Sequence, residues 1–173
     1  MYANGKGVTQ NYKKAVKYFR LAADQGNVYA QYGLGAMYYE GIGVTQDYQQ
    51  AIKLIQLAAA QNFAEAQFKL GWIYDMGEVI TRDYQEAVKW YHLAAEQGNT
   101  DAQFNLGLMY SNGDGVTQDL VRALMWLNLS ASKGDEEAKE EQATTAKLMT
   151  PSQIDNAKKM TQDCEKNNYK NCE

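Results

Sequence analysis

Two motifs stand close together in the stretch Leu34-Gly35-Ala36-Met37-Tyr38-Tyr39-Glu40-Gly41-Ile42-Gly43-Val44, and both return along the chain every 36 residues. The first is a Leu-Gly pair followed by a tyrosine, and the second is a glycine-rich turn. The copies of the pair are Leu34-Gly35, Leu70-Gly71 and Leu106-Gly107, and those of the turn begin at Gly5, Gly41, Gly77 and Gly113. Agreement at so many fixed positions indicates an internal repeat.

Each repeat divides into two helical stretches. Apolar residues from Val28 to Tyr39 and from Asp47 to Ala60 fall at a spacing of three and four, which is typical of amphipathic helices. Gly41-Ile42-Gly43 permits a tight reversal between them, and Gln25-Gly26-Asn27 supplies a helix-ending glycine and a capping asparagine. The sequence therefore predicts an all-α protein, an α-solenoid of stacked antiparallel helix pairs.

The string Ala66-Gln67-Phe68-Lys69-Leu70-Gly71-Trp72-Ile73-Tyr74, the Gly-x-Gly-Val turn and the Ala-Val-Lys-Trp-Tyr-x-x-Ala-Ala pattern of residues 87–95 resemble Sel1-like repeats, which are longer relatives of tetratricopeptide repeats. The resemblance implies a right-handed superhelix in which the first helix of each unit lines a concave face. It also implies a non-catalytic adaptor, often in bacterial cell-envelope, secretion or host-interaction systems. It covers residues 1–147, with units near 1–26, 27–62, 63–98 and 99–134 and a degenerate unit at 135–147.

The pattern changes at three places. Val79 replaces a turn glycine, so we expect the third turn to follow a different backbone path. The acidic residues after Gly134 predict a polar last unit, which the end of a solenoid needs for solubility. Met1-Tyr2 aligns with Met37-Tyr38, near the end of a first helix. We therefore expect a fragment, a processed product or a gene model that starts late, with any signal peptide upstream.

Residues 148–173 predict a capping helix followed by a short tail. Thr150-Pro151-Ser152-Gln153 combines a threonine cap, a proline at the first helical position and a glutamine three residues after the cap. Cys164 and Cys172 are spaced too widely for a thioredoxin-type pair. A small disulfide loop indicates an oxidising compartment, so we expect a periplasmic or secreted protein. Two free thiols in a cytoplasmic protein are the alternative.

Composition excludes several classes of function. The 173 residues hold 17 Lys and Arg against 21 Asp and Glu, a net charge of −4, which gives no electrostatic reason to bind nucleic acid or an anionic bilayer. No apolar run reaches the roughly 18 residues of a membrane-spanning helix. One histidine and two cysteines are too few for a self-contained zinc site. We expect no metal and no cofactor.

Candidate catalytic groups are sparse, and we do not expect an enzyme. His92 stands at a position where other units have Arg, Gln or Asn, which is typical of a solvated helix face. Glu65, Asp75 and Asp101 could supply the paired carboxylates of a glycosidase, but nothing in the sequence raises their pKa. Trp90 and Trp126 align with apolar or aromatic residues of other units, so we expect them in the core or partly buried, and not facing a ligand.

Binding is better supported. In the related tetratricopeptide repeats, the residues that line the groove stand five and two positions before the leucine of the Leu-Gly pair and two and five positions after it. Aromatic and acidic residues occupy most of these positions. We predict a partner-binding surface formed by Tyr29, Tyr32, Tyr39, Glu65, Phe68, Trp72, Asp75, Asp101 and Phe104. For the recurring aromatics Tyr32, Phe68 and Phe104, packing between units is an equally good explanation.

An aromatic groove with an acidic rim suits a protein or peptide partner that carries a basic segment. The sequence therefore favours a protein-interaction adaptor. A peptidoglycan-binding, glycan-binding or enzyme-associated module is the alternative, and the variable residues could also be exposed without any role.

Overall fold

The computed structural model describes residues 11–172. Within this range the chain forms nine α-helices and no β-strand, which confirms the predicted all-α repeat fold. The helices are α1 (Tyr12–Asp24), α2 (Val28–Glu40), α3 (Tyr48–Ala60), α4 (Ala64–Met76), α5 (Tyr84–Ala95), α6 (Thr100–Asn112), α7 (Leu120–Ser132), α8 (Glu136–Ala146) and α9 (Pro151–Lys166). The first turn, at Gly5, and the Met1-Tyr2 pair lie outside the described residues.

Most of the helices begin at an Asn or Asp whose side chain accepts a hydrogen bond from a backbone N–H two or three residues later. These N-caps are Asn11, Asn27, Asp47, Asp83, Asn99, Asp119 and Asp135. A cap of this kind stabilises a helix by about 1 kcal/mol. The turn before α4 differs, because Phe63 replaces the capping asparagine and Asn62 replaces the glycine, with φ of 63°.

Two compact units divide the chain within α4, one ending at Leu70 and the other beginning at Gly71. In the first unit, α2 packs against both α1 and α3, around a core that includes Val16 and Leu34. In the second unit, α6 packs against α5 and α7, and α7 also packs against α8 and α9. Tyr91, Leu106 and Trp126 are completely buried there.

The glycine of the Leu-Gly motif allows neighbouring helices to approach closely. A Cβ atom at Gly35 would lie 2.9 Å from Ile55 Cγ1 in the first unit. A Cβ atom at Gly107 would lie 2.6 Å from Leu127 Cγ in the second unit. Any side chain at these positions would push the two helices apart, so the motif that recurs every 36 residues is a helix-packing motif.

The third turn follows a different path, as Val79 predicts. Gly43 has φ of 74°, and a Cβ there would lie 2.7 Å from the backbone carbon of Tyr12. Val79 is not among the residues with a positive φ, although Gly77, at the start of the same turn, has φ of 65°. A β-branched side chain disfavours the left-handed conformation, so the substitution and the changed backbone go together.

The C-terminal region matches its sequence signals. Helix α8 buries only Ala138 and Thr145, in keeping with a polar last unit. Helix α9 begins with the predicted capping box, in which Thr150 and Gln153 each satisfy the other's backbone N–H. It packs against α7. A disulfide joins the cysteine near its C-terminal end to Cys172, which confirms the predicted pairing of Cys164 with Cys172.

Candidate partner-binding surface

The first unit brings three aromatic rings close to one carboxylate. We call this group the aromatic patch, and it consists of Tyr29, Tyr32, Phe63 and Glu65. The Phe63 ring meets Tyr29 edge-on, with centroids 5.2 Å apart, and meets Tyr32 in the same manner at 5.4 Å. Both tyrosines lie in the first two turns of α2, and Phe63 directly precedes α4. Tyr29 is nevertheless 68% exposed. The ring is therefore held in position by a neighbour while most of its surface faces solvent.

The carboxylate of the patch lies beside the half-buried tyrosine. Burial raises the pKa of Tyr32, and the negative charge of Glu65 raises it further. Glu65 itself is exposed, in the first turn of α4, where the helix dipole favours a negative charge. The patch thus combines an exposed aromatic ring with an anion at its edge.

Phe63 is not among the groove positions counted from the leucine of the Leu-Gly pair, because it lies in the turn before α4 and not on a helix face. The available signal was the substitution itself: Phe63 stands where Asn27 and Asn99 cap the following helix. A repeat that gives up its N-cap for an aromatic side chain loses about 1 kcal/mol of local stabilisation and must gain packing in exchange.

Tyr39 does not contribute an exposed ring. It is only 8% exposed, with Tyr48 packed edge-on against it at a centroid distance of 5.1 Å. The ammonium group of Lys69 lies 4.3 Å from the centroid of the same ring. This residue of the predicted surface is therefore covered by its neighbours within the first unit, where its ring makes a cation–π contact with Lys69.

The second unit contains a partly buried carboxylate. The Tyr91 hydroxyl donates a hydrogen bond of 3.1 Å to Asp75 Oδ2. Burial raises the pKa of Asp75; Tyr91 and Arg82 oppose this rise, and Asp114 adds to it. Burial also raises the pKa of Tyr91, with a further contribution from the charge of Asp75. Nothing in the sequence indicates the raised pKa of Asp75, because its burial and its approach to Asp114 arise only when the chain folds.

The remaining predicted residues differ in exposure. Asp101 is exposed in the first turn of α6, and its backbone carbonyl accepts a hydrogen bond from the Asn105 side chain. Phe68, Trp72 and Phe104 are half-buried. The structure brings Tyr29, Tyr32 and Glu65 together in the first unit. In the second unit it leaves Asp101 at the surface and ties Asp75 to Tyr91.

His92 does not lie on a fully solvated helix face. Its side chain is only 20% exposed, and its ring meets Trp126 edge-on with centroids 5.5 Å apart. The expectation was wrong because Trp126, which is completely buried, packs beside it. The expectation for the two tryptophans is confirmed, since Trp90 is half-buried and Trp126 belongs to the core.

Neither a metal site nor a membrane span is found among residues 11–172. No three of their His, Cys, Asp and Glu side chains are grouped so as to hold a metal ion. None of their helices combines the length and the apolar character that crossing a bilayer requires.

The Sel1 repeat model matches residues 1–27, 28–63, 64–99 and 100–135. The chain belongs to the Sel1 repeat family. Sel1 repeats generally act as protein-interaction scaffolds and are typically non-catalytic. No curated protein matches the chain.

Three similar solved structures come from bacteria. A Sel1 repeat protein from Oxalobacter formigenes is 40% identical, with a TM-score of 0.78 over 83% of this chain and 59% of that one. A protective antigen present in uropathogenic Escherichia coli strains, which displays an SLR fold, is 36% identical, with a TM-score of 0.80 over 91% of this chain and 34% of that one. The chain therefore spans less than two thirds of either relative. Cysteine-rich protein B of Helicobacter pylori, 21% identical with a TM-score of 0.59 over 76% of this chain and 94% of that one, shares the fold.

Proposed function

We propose that this chain is a non-catalytic scaffold that captures a protein partner outside the cytoplasm, with the aromatic patch of the first unit as its main contact. The observation that carries the proposal is the Tyr29 ring, which is 68% exposed and yet held edge-on by Phe63. A tyrosine immobilised before binding loses little conformational entropy when a partner covers it. Such residues dominate the binding energy of protein interfaces.

The charge of the patch supports a partner with a basic segment. Glu65 is exposed at the edge of the rings, and its charge already acts on Tyr32. A lysine or arginine of the partner could pair with this carboxylate while its alkyl chain lies on the Tyr29 ring. The corresponding contributions of Trp72, Asp101 and Phe104 in the second unit stay predictions from the sequence.

The proposed compartment follows from the disulfide. Cys164 and Cys172 are joined, and such bonds persist in the periplasm and outside the cell but are rare in the cytosol. The bacterial origin of the similar structures makes the cell envelope or the extracellular space the proposed location.

Affinity capture from envelope and cytosolic extracts of the source organism tests this proposal. The immobilised wild type is compared with Tyr29→Ala, Glu65→Gln and a matched control, Tyr18→Ala, in which the truncated tyrosine of α1 is 55% exposed. We expect a protein in the envelope extract that wild type and Tyr18→Ala retain and that Tyr29→Ala retains at least about tenfold less. Glu65→Gln should reduce retention mainly at low salt, because an exposed charge pair is screened at high salt.

The outcomes separate the alternatives. Equal retention by Tyr29→Ala and wild type would contradict the aromatic patch as the interface. A loss with Tyr18→Ala alone would place the interface on α1. Retention only from the cytosolic extract would contradict the proposed compartment. Capture of no protein from either extract would favour a glycan or a small ligand.

A further inference from the structure

Helix α9 covers a specific face of α7 in the second unit. The side chains of Met125, Trp126 and Leu129 on α7 are completely buried. On the same helix, the Asn128 side-chain amide donates a hydrogen bond of 3.1 Å to Thr161 Oγ1 of α9. These observations define a face of the repeat that accepts an amphipathic helix.

The loop closed by the disulfide extends this contact. The Tyr169 ring of the loop lies against Gly98. A Cβ atom added at Gly98 would be 3.3 Å from this ring. The Lys133 ammonium group lies 4.3 Å from the centroid of that ring and donates hydrogen bonds to the Gly98 carbonyl and to Gln103 Oε1. Helix α9 and its disulfide loop together therefore cover the surface of the second unit between Leu129 and Gly98.

Among residues 11–172, the same repeat positions of the first unit form an open face. The residues Gly98, Gln103, Met125, Trp126 and Leu129 have counterparts 72 residues earlier, namely Gly26, Gln31, Lys53, Leu54 and Leu57. These counterparts help to line an open groove of about 340 Å³, which we call the α1–α3 groove. Leu57 is 45% exposed, whereas Leu129 at the same repeat position is completely buried.

The charge of the α1–α3 groove differs from that of its covered counterpart. Lys53 replaces Met125, and a neighbouring groove of about 240 Å³ along α1 carries Lys13, Lys17 and Arg20. Asp24 belongs to both grooves and is the one acidic residue of α1. Within residues 11–172, none of the three lysines forms an ion pair. The four cations of the two grooves outnumber this one carboxylate, so the combined surface is complementary to an acidic amphipathic helix.

We propose that the α1–α3 groove binds an acidic amphipathic helix of a partner protein, in the manner in which α9 occupies the equivalent face of the second unit. The apolar side of the helix would lie on Leu57, beside the buried Leu54. Its carboxylates would face Lys53 and the cations of α1. This contact is independent of the aromatic patch, because it uses different residues and a partner of opposite charge.

The probe for this proposal is the segment of this chain that fills the equivalent face. A synthetic peptide of residues 150–172, closed by its disulfide, carries four lysines against three carboxylates. A second peptide carries Lys158→Glu, Lys159→Glu and Lys166→Glu, all at positions that are exposed in α9. Fluorescence anisotropy measures the binding of each peptide to the full 173-residue chain at low salt. The peptide with the three glutamates, which is the acidic one, should bind at least about tenfold more tightly than the unaltered peptide.

Variants of the full chain locate the binding site. Lys53→Glu and Leu57→Asp should each weaken binding of the acidic peptide at least about tenfold. The matched control is Leu93→Asp, because Leu93 occupies the same repeat position as Leu57 and is 43% exposed against 45%. Leu93→Asp should leave the affinity unchanged. Since Lys53 is exposed, Lys53→Glu provides an answer even if Leu57→Asp impairs folding.

Several results would overturn the proposal. One is the absence of saturable binding by the acidic peptide. Another is an equal loss of affinity in Leu57→Asp and Leu93→Asp, and a third is unchanged binding by Lys53→Glu. Self-association of the full chain that Leu57→Asp abolishes, seen by analytical ultracentrifugation, would assign the groove to a second copy instead.

Discussion

At the scale of single residues, the repeat separates positions that build the fold from positions whose chemistry depends on their neighbours. Gly35 and Gly107 belong to the first kind, because a Cβ at either would collide with the adjacent helix. Asp75 belongs to the second kind. Its counterparts in neighbouring repeats are Tyr39 and Ser111, so no rule of the repeat requires a carboxylate there. Its ionisation nevertheless bears on stability, because it is partly buried.

Replacing Asp75 by Asn should stabilise the protein at neutral pH. The pKa of Asp75 is raised in the folded state, so the native protein holds this proton more tightly than the unfolded chain does. Ionisation therefore costs stability above the raised pKa, and the cost disappears as the pH falls below the ordinary value of about 3.9. The amide oxygen of Asn can still accept the hydrogen bond from Tyr91.

Urea denaturation at pH 7 and at pH 3.5 measures this effect. We expect a higher unfolding midpoint for Asp75→Asn at pH 7 and a smaller difference at pH 3.5. Asp155→Asn, the same change at an exposed position of α9, controls for net charge. A lower midpoint at pH 7 would mean that the ionised form of Asp75 stabilises the fold.

At the scale of the helices, the repeated helix pair both builds the array and, in the second unit, binds the added helix α9. Asn and Asp caps and the Leu-Gly motif recur along the described chain, and α9 then adds a helix that belongs to no repeat. The surface of α7 on which α9 packs is apolar because Met125 stands at the repeat position that is occupied in the other repeats by Lys17, Lys53 and Lys89. Close helix packing at the Leu-Gly motif and helix capping are thus the two features that recur from repeat to repeat.

The substitution Gly107→Ala tests the helix–helix distance. The new Cβ would lie 2.6 Å from Leu127 Cγ, which is buried and cannot move away freely. Overpacking of this kind costs about 1–3 kcal/mol, against a gain of about 1 kcal/mol in helix propensity. We expect net destabilisation, measured by urea unfolding.

Gly33→Ala is the matched control within a helix. Its Cβ would meet the Phe19 ring at 3.1 Å, and this half-buried ring can shift by a few tenths of an ångström. The same gain in helix propensity applies here with little overpacking, so we expect unchanged stability or a stabilisation of up to about 1 kcal/mol. Equal stabilities of the Gly107→Ala variant and the wild type would show that α6 and α7 can separate at little cost.

At the scale of the whole molecule, α1 of the first unit and α7 of the second differ in how completely their inner faces are covered. In the first unit, Ala15, Val16 and Ala23 of α1 retain 4–7% exposure. In the second unit, α7 contacts α6, α8 and α9, and Ala123, Met125 and Leu127 are completely buried. Since a solenoid is stabilised by contacts between neighbouring elements, local stability should follow this difference.

Native-state hydrogen exchange measures that difference directly. We expect the amides of α1 to exchange at least about tenfold faster than those of α7, because α7 is packed against three helices. Helix α6 serves as the internal reference for a central helix of the second unit. Protection of α1 equal to that of α7 would show that the described chain unfolds as a single cooperative body.

The sequence by itself determined the period, the helices, the asparagine caps of the Gln-Gly-Asn turns and the capping box of α9, and it favoured a disulfide between Cys164 and Cys172 over two free thiols. These features depend on interactions within a few residues or on positions that repeat, and both can be read along one chain. The aromatic character of the proposed surface was predictable in the same way at Tyr29 and Tyr32.

Only the tertiary structure decided which repeated positions are covered. Leu57 and Leu129 are the same residue at the same repeat position, but the first is 45% exposed and the second completely buried. Tyr39, predicted as a contact, lies under Tyr48, and the pKa of Asp75 depends on groups brought near by folding. Burial and electrostatics depend on neighbours that are distant in sequence, and a repeat pattern contains no information about a helix such as α9, which lies outside it.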